Sequence, residues 1–530
     1  LQGTLQDILA SNWRETSDNH RQDTAWLPPH PDGKCLLKNE TPNMSPYDFF
    51  SRFFPEELYQ VIADHTNTYA QHWIESRQPL SEHSRMKLWR ATNADEIKAF
   101  ISIEIAMGLT VTADRADHWS QHWLVGGQFA KIMSYNRYTL LKMCLHFADN
   151  TGQKPKDHPD YDPLYKIRVV LDRCVATYLE NIIPGKNLSV DESMLKFKGR
   201  LYFKQYMPMK PVKWGIKLFA LCDAETGAIL RFFVYTGKSN NGESGGATKD
   251  VVMKLVEPLL GKGHVVYMDN FYTSPDLVAE LKLAGTGATG TVRSNRKHLP
   301  PNMKNVPLKK GDPAKYWSTE HMTAFAWHDV KRVHVLSSID NIGTTSVQVH
   351  TNKDVSGFRN VDKPKSIVDY NKNMGGVDTF DQLGCYSNYP HRSYKWYQVI
   401  YHFCIEAALV NGFIFCKNND PKLTQRKFRL AVIDSLLETG TYAPHVQGRR
   451  TSFVSPNVDP PLRLNTRCFL AKFDNPKYKP DCRACSDRKS GNRHQTSWYC
   501  KTCQVPLCAN KCFETYHSRK DYQSVCKNRA

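Results

Sequence analysis

The segment LSVDESMLKFKG, residues 188–199, decides the fold of this chain together with the two apolar runs that follow it. Those runs are VKWGIKLFALCDA at 212–224 and GAILRFFVYTG at 227–237. Each run is short and apolar and is bounded by glycine or polar turn residues, as strands are. The three runs therefore predict three consecutive strands, joined as two hairpins.

The segments after these strands alternate between helix and strand patterns. Amphipathic stretches at 248–261 and 275–285 predict helices, whereas HVVYMDNFYTS at 264–274 and GATGTVRS at 287–294 predict strands. The order strand, strand, strand, helix, strand, helix, strand predicts an α/β layer around a mixed sheet. This is the element order of an RNase H-like fold.

Helical patterns surround the α/β segment. From Ser45 to about residue 185, apolar residues recur every three or four positions, which predicts an all-helical region. Helical patterns resume after residue 364. The longest apolar stretch, Val399–Cys416, contains His, Glu and Asn residues and so predicts a buried helix rather than a membrane span.

Composition predicts the remaining boundaries of a multidomain α/β protein. Residues 1–44 are polar and contain four prolines, which predicts a flexible arm. Residues 296–364 are rich in Lys, Pro and Asn and contain three β-type stretches, which predicts a small inserted β domain. A linker at 461–477 then leads to a cysteine-rich module at 478–530.

The charge of the chain favours a polyanionic partner. Its 530 residues include 71 Lys and Arg against 52 Asp and Glu, a net charge of +19. Residues 421–530 hold 21 of the basic and 8 of the acidic residues, so this region alone contributes +13. A basic appendage on a nearly balanced body predicts nucleic acid as the partner, although a basic protein without a special partner has the same composition.

Cysteine usage predicts a reducing compartment, the nucleus or the cytoplasm. Seven of the 15 cysteines lie between Cys482 and Cys526, and the other eight are scattered. That distribution is too sparse for a disulfide framework, and the sequence does not open with a secretory signal.

Four aspartates are candidates for a divalent metal site. Asp191 lies within the first predicted strand and Asp269 at the end of the fourth, where ligand sites of α/β sheets collect. Asp378 and Asp381 lie three residues apart, so a helix would project both from one face. Clustered carboxylates repel one another unless a cation such as Mg²⁺ binds them. Two such ions, about 4 Å apart, suit phosphodiester cleavage and strand transfer.

Two further acidic residues, Glu192 and Asp223, offer the same chemistry. Because side chains alternate between the faces of a strand, Glu192 is expected on the face opposite Asp191. An isolated aspartate at a strand end is also often a turn former or a helix cap. We interpret Glu192 and Asp223 as structural residues.

Five blocks of the sequence resemble successive blocks of the piggyBac transposases. They are LSVDESMLKFKGR, KPVKWGIKLFALCD, YMDNFYTS, GTVRSNR and DYNKNMGGVDTFDQ, and they occur in the family's order. The resemblance covers roughly residues 45–420 and again the C-terminal module. It implies that Asp191, Asp269 and Asp378 are the three catalytic aspartates of a DDD site. Asp381 matches a further essential aspartate, either a metal ligand or a support for one.

The resemblance also implies the reaction and its partners. Family members use two Mg²⁺ (or Mn²⁺) ions to nick the 3′ ends of a DNA element, form hairpins at TTAA and join the ends to a TTAA target. They act as homodimers on double-stranded terminal inverted repeats. By analogy, residues 186–295 and 365–387 form the RNase H-like catalytic domain, and the helical residues 45–185 and 388–460 form the dimerisation and DNA-binding domain.

The cysteine-rich module predicts zinc. CxxC pairs at 482–485 and 500–503 have the spacing of zinc ligands, and the βαβ context of a thioredoxin-type redox pair is lacking. Seven ligands are one short of two tetrahedral ions, so either His494 or Cys526 is expected as the eighth in a cross-brace arrangement. The predicted ligands are Cys482, Cys485, Cys500, Cys503, Cys508, Cys512 and His517.

Five basic residues are predicted to bind DNA phosphates near the cut, because they flank the second predicted strand or follow the fifth. They are Lys210, Lys213, Lys217, Arg293 and Arg296. Three aromatic residues are candidates either for stacking on displaced bases or for the core: Trp214, Tyr267 and Tyr272. The glycine-rich stretch at 236–250 contains GKS but lacks the first glycine of a phosphate loop, so ATP is not an expected partner. A membrane is not an expected partner either, because the longest apolar stretch contains polar residues.

Three functions are compatible with the sequence. They are an active transposase, a host-recruited DNA-binding protein that keeps the fold, and an interaction protein whose zinc module binds chromatin or ubiquitin machinery. The four intact aspartates favour the first. The basic stretches RKFR at 426–429 and GRR at 448–450 are candidate nuclear-import signals, so a nuclear location is expected.

Overall fold

The computed structural model divides into two compact units, Leu1–Tyr442 and Ala443–Ala530. It describes residues 4–16, 24–30, 33–120, 122, 129–237, 248–339, 342–350, 357–386, 393–439, 468–487, 491–519 and 521–527. The helices are α1 Leu5–Ala10, α2 Pro46–Ser51, α3 Glu57–Glu75, α4 Ala94–Leu109, α5 Phe129–Ile132, α6 Tyr135–Cys144, α7 Arg168–Asn181, α8 Thr248–Val256, α9 Pro275–Leu283, α10 Lys365–Asn373, α11 Gly376–Cys385, α12 Trp396–Asn419, α13 Gln425–Thr439, α14 Cys512–Ser518 and α15 Tyr522–Lys527.

The strands form one large sheet and several small ones. They are β1 Arg14–Thr16, β2 Leu36–Leu37, β3 Ile182–Ile183, β4 Asn187–Lys196, β5 Gln205–Tyr206, β6 Trp214–Asp223, β7 Ile229–Val234, β8 Val265–Met268, β9 Gly287–Thr291, β10 Lys315–Ser318, β11 Thr323–His328, β12 Arg332–Ser337, β13 Thr344–His350, β14 Phe358–Pro364, β15 Leu470–Lys472, β16 Trp498–Cys500 and β17 Val505–Pro506.

Strand β4 lies at the centre of the large sheet. It pairs antiparallel with β6 along its whole length, and β6 pairs antiparallel with β7. On its other side β4 pairs parallel with β8, and β8 pairs parallel with β9. The order β7, β6, β4, β8, β9 confirms the predicted mixed sheet and the RNase H-like fold.

The predicted inserted β domain at 296–364 is wrong for most of its length. Strand β12 pairs antiparallel with β9, and β11 and β10 follow, so these strands extend the large sheet itself. Strands β13 and β14 alone form a separate hairpin in this part of the described chain. The sequence showed the strand patterns of β10, β11 and β12. It did not show that β12 pairs with β9, because the unpaired edge of β9 exists only once the sheet has formed.

The N-terminal segment also differs from the prediction of a flexible arm. The side chains of Thr4 and Asp7 form a capping box at the start of α1. Strand β1 then adds to the outer edge of the large sheet by pairing with β10. The indole N–H of Trp13 donates to the carbonyl of His298 at 2.9 Å. Such a short strand takes its hydrogen bonds from its partner, so local composition gave no sign of it.

The helices before and after the large sheet pack together. Helix α12 contacts α2 and α7, and α13 contacts α2 and α4. The buried-helix prediction for Val399–Cys416 is confirmed. Helix α12 is long and apolar enough to cross a membrane, but 89% of its apolar 18-residue stretch is buried inside the protein. Within it, the buried Asn411 amide accepts from the N–H of Ile229 and donates to its carbonyl, both at 2.9 Å, which joins the helix to β7.

A buried ion pair links α12 to α13. The Arg429 guanidinium is 1% exposed and binds the Glu406 carboxylate with both terminal nitrogens. Arg429 belongs to the RKFR stretch, so that stretch is not a fully exposed basic segment, and the GRR stretch lies outside the described residues.

Replacing Arg429 by Met should destabilise the helical unit by about 3–5 kcal/mol, because the Glu406 charge would be left buried without a partner. Lys427→Met, an exposed change in the same helix, should cost less than about 0.5 kcal/mol. Denaturant unfolding of the two variants measures both. Equal stability of the two variants would show that the pair does not hold the helices together.

Candidate active site and metal centres

Asp191 and Asp269 each follow the last residue of the parallel pairing between β4 and β8. The parallel pairing of β4 with β8 ends at Val190 and Met268. The next residue on each strand is therefore an aspartate, and both lie where the hydrogen-bonded ladder stops. This is the position at which α/β sheets place ligand sites.

The local backbone holds each of these carboxylates. Oδ1 of Asp191 accepts the N–H of Glu192 at 2.8 Å. Oδ1 of Asp269 accepts the N–H of Phe271 at 2.9 Å, and the Asp269 carbonyl accepts the N–H of Thr273 at 3.1 Å. The turn after β8 thus fixes the direction of the Asp269 side chain.

Helix α11, which carries Asp378 and Asp381, packs against β4. A Cβ on Gly376 would lie 2.4 Å from Oγ of Ser189, so this glycine allows the helix to approach the strand closely. The hydroxyl of Ser193 donates to Oδ1 of Asp381 at 2.7 Å. Asp191 lies between Ser189 and Ser193 in the alternation of the strand, so it faces α11 as they do.

The aspartate cluster is electrostatically unfavourable without a cation. Burial raises the pKa of Asp191 to about 7 and that of Asp381 to about 6, and it raises the pKa of Asp269 as well. Hard carboxylate oxygens held in this way fit Mg²⁺ or Mn²⁺ by their chemistry. Within the described residues, however, the aspartate oxygens do not gather as three within 4.8 Å of one another.

The ammonium of Lys210 lies inside this cluster. Its Nζ is 3.6 Å from Oδ2 of Asp191 and donates to the Glu192 carbonyl at 2.8 Å. Burial acts to lower the pKa of Lys210, but the surrounding carboxylates, first Asp191 and then Asp378, raise it overall. Lys210 is therefore a cation within the group of aspartates, and not a freely solvated residue.

Asp223 lies in a turn, as expected, whereas Glu192 lies nearer the site than expected, because its side chain interacts with that of Asp191. Glu192 also forms a 2.9 Å ion pair with Lys217. Asp223 ends β6, where its carboxylate accepts the N–H of Gly185 at 3.0 Å and that of Thr226 at 2.8 Å. Glu192 still acts on the site, since its charge contributes to the raised pKa of Asp191.

The other predicted DNA contacts divide by exposure. Lys213 and Arg293 are exposed, and Arg293 donates to the Asn270 side chain at 3.1 Å, beside Asp269. Arg296 is half-buried and donates to the Phe271 carbonyl at 2.7 Å. Lys217 lies near the rings of Phe219 and Phe271 and is paired with Glu192, so it is held by contacts within the protein.

The three predicted stacking aromatics divide as well. Tyr267 and Tyr272 are each 1% exposed and belong to the core, whereas Trp214 is 50% exposed. Trp214 packs against Tyr206, with ring centroids 4.7 Å apart. Of the three residues, Trp214 alone is exposed, although the Lys204 ammonium also lies over its ring, 5.3 Å from the centroid.

The C-terminal unit contains two groups of four metal-ligating side chains. Within each group the donor atoms lie within 4.8 Å of one another. Sγ atoms of Cys468 and Cys503 are 3.6 Å apart, and those of Cys485 and Cys508 are 3.8 Å apart. Four ligands around a tetrahedral zinc with bonds of about 2.3 Å require sulfur separations of about 3.8 Å, so both groups fit zinc. The groups are Cys468, Cys500, Cys503 and His517, and Cys482, Cys485, Cys508 and Cys512.

The two groups interleave along the chain, in agreement with the predicted cross-brace. The eighth ligand is Cys468, which corrects the expectation of His494 or Cys526. Strand β15 pairs with β16 so that Leu470 lies opposite Cys500, and this pairing carries Cys468 to the first group. A lone cysteine before the linker's end gave no spacing signal in the sequence, because strand pairing and not a CxxC turn brings it to its partners.

Comparisons with known proteins agree with this architecture. Residues 45–413 match the family model described as transposase IS4, and residues 471–518 match a DDE-type transposase-like zinc finger. The human PiggyBac transposable element-derived protein 3 is 26% identical over 486 residues, which cover 89% of this chain and 76% of that protein. The human PiggyBac transposable element-derived protein 2 is 26% identical over 449 residues, which cover 81% and 70%.

A solved structure has the same fold. It is the cryo-EM structure of a piggyBac transposase synaptic complex with hairpin DNA, with a TM-score of 0.67 and 23% identity. The match covers 90% of this chain and 97% of that one. Together with the match to the family model over residues 45–413, these similarities show that the chain belongs to the transposase IS4 family of DDE-type transposases, in its piggyBac group.

Proposed function

We propose that the chain is a cut-and-paste DNA transposase whose active site is formed by Asp191, Asp269 and Asp378. The proposal is supported by two aspartates that follow the last paired residues of neighbouring parallel strands, and by a third in α11, the helix whose Asp381 accepts from Ser193 of β4. Mg²⁺ or Mn²⁺, two ions per site, would be held by these three carboxylates. Such ions would supply an activated attacking oxygen and a stabilised leaving oxygen.

The protein side chains position the DNA around the metal site. Exposed Arg293, beside Asp269, would hold a phosphate next to the cut, and Lys213 would hold another farther along the backbone. Asp381 is bound by Ser193, so we assign it to positioning α11 and Asp378 rather than to direct ligation. Trp214, half-exposed beside Tyr206, would stack on an unpaired base.

The proposed substrate is a pair of double-stranded terminal inverted repeats, cut through hairpin intermediates at TTAA and bound by a homodimer. The similar structure is a piggyBac transposase complex with hairpin DNA, which supports this substrate. The C-terminal unit, with two zinc ions, and its basic surroundings would bind the repeats, and the packed helices before and after the sheet would provide the dimer contacts. Such a substrate requires a nuclear location.

Purified protein mixed with its own element ends tests the proposal. The expected result is nicking at the 3′ ends followed by hairpin formation, with Mg²⁺ or Mn²⁺ and without added nucleotide. Specific binding without cleavage in either metal would instead support a host-recruited DNA-binding protein, a possibility raised by the element-derived human relatives. The failure of specific binding would reject both.

The role assigned to Asp381 has its own test. Ser193→Ala should lower the cleavage rate by about 10- to 100-fold, because it removes the group that orients an outer support of the metal site. Ser189→Ala, two residues earlier on the same face and also buried, serves as the matched control and should change the rate little. Single-turnover cleavage at saturating Mg²⁺ measures both. If Ser193→Ala cleaves as fast as Ser189→Ala, the hydrogen bond from Ser193 does not position Asp381 for cleavage.

A further inference from the structure

Lys210 lies on a short loop whose ends are joined by a backbone hydrogen bond, and its side chain is partly exposed. The loop between β5 and β6 is closed by a hydrogen bond from the N–H of Met207 to the carbonyl of Lys213, at 2.8 Å. Between these residues the chain runs through Pro208 and Pro211. The Lys210 side chain is 25% exposed and reaches inward from this loop to the aspartates.

Lys210 contacts the Asp191 oxygen that does not accept the backbone N–H of Glu192. Oδ1 of Asp191 is occupied by the N–H of Glu192, and the Lys210 ammonium faces Oδ2 at 3.6 Å. A Mg²⁺ ligand oxygen lies about 2.0–2.1 Å from the ion. An ammonium and a divalent ion sharing this oxygen would lie within a few ångströms of each other and repel strongly.

We infer that Lys210 is a built-in counter-ion of the aspartate cluster, and that it withdraws from Asp191 when a divalent cation binds. The inference rests on the proposed function, because it assumes that the three aspartates hold the metal. In the free protein the ammonium offsets the repulsion among the carboxylates. Metal binding is therefore an exchange of one cation for another, and Lys210 lowers the affinity of the site for the metal ion.

The exchange also couples the metal to DNA. A displaced Lys210 side chain remains tethered beside the site, where a DNA phosphate is its natural partner. DNA that binds this ammonium removes the competitor of the metal ion, so DNA and metal should strengthen each other's binding. Without the ammonium, metal binding should depend less on DNA.

Manganese titration of the full, zinc-loaded chain, followed by electron paramagnetic resonance, tests this inference without a measurement of catalysis. Lys210→Met should bind Mn²⁺ more tightly than the wild type by about tenfold in the absence of DNA. Lys213→Met removes the same charge from the same loop, and Lys210→Arg keeps the charge, so both should bind within about twofold of the wild type. Adding element-end DNA should tighten Mn²⁺ binding in the wild type more than in Lys210→Met.

The outcomes separate the two claims. If the wild type and Lys210→Met bind Mn²⁺ equally while Asp191→Asn binds it weakly, the metal site stands and the counter-ion inference is overturned. If the wild type shows no Mn²⁺ binding that depends on Asp191, the proposed metal site itself fails. Thermal unfolding of each variant and its zinc content establish that the fold is retained.

Discussion

Asp191→Asn should reduce DNA cleavage by about a thousandfold or more while leaving the affinity for element ends nearly unchanged. The substitution preserves the size of the side chain but removes the charge that a divalent ion needs. Metal ions contribute several kcal/mol to such reactions, and each 1.36 kcal/mol corresponds to a factor of ten in rate. Retained DNA binding is expected because Asp191 is largely buried within a strand and offers no cationic contact to phosphate.

The matched control is Glu225→Gln, the same change of carboxylate to amide on an exposed residue of the β6–β7 turn. It should cleave at the wild-type rate. Asp269→Asn and Asp378→Asn should resemble Asp191→Asn. Cleavage by Asp191→Asn at the wild-type rate would remove Asp191 from the active site, and an equal loss in the Glu225 variant would point to general damage instead.

The second large effect concerns the C-terminal unit. The wild-type chain should contain two zinc ions, and Cys468→Ser should contain one, because Cys468 completes the group with Cys500, Cys503 and His517. Structural zinc contributes about 10–16 kcal/mol of apparent binding free energy in small zinc modules. Loss of this ion should therefore release β15 from β16 and expose their backbone amides to hydrogen exchange.

His494→Ala and Cys526→Ser are the controls, since neither residue belongs to a four-ligand group. Both variants should keep two zinc ions per chain, as measured by elemental analysis. A Cys526 variant that loses an ion while Cys468→Ser keeps both would reverse the ligand assignment. Element-end binding measured in parallel would show whether the module supports DNA recognition.

The order of the central elements was predictable because the signals that encode it are local. The strands β4, β6, β7, β8 and β9 each correspond to a predicted apolar run, and α8 and α9 to predicted amphipathic helices. Periodicity and turn residues act over a few positions, so they define elements without knowledge of their partners. The placement of Asp191 and Asp269 at the sheet edge followed from the same local pattern.

The pairing of distant segments was not predictable. Strand β12 joins β9 across an intervening stretch of chain, and β1 joins β10 although Thr16 and Ser318 are 302 residues apart. Neither segment carries a pattern that identifies its partner, because backbone hydrogen bonds are the same for every residue type. Composition therefore assigned these residues to a separate domain and to a flexible arm.

The sequence by itself predicted the family, the RNase H-like order of elements, the four candidate aspartates and seven of the eight side chains that form the two four-donor groups. These features depend on residue chemistry and short spacing. The tertiary structure alone decided that Lys210 faces Asp191, that Lys217 is held by Glu192 and that Cys468 completes a metal group. Each of these contacts joins side chains that are brought together by the closing of the β5–β6 loop, by the register of β4 with β6, or by the pairing of β15 with β16. Charge and coordination act through distance in space, and the folded chain sets that distance.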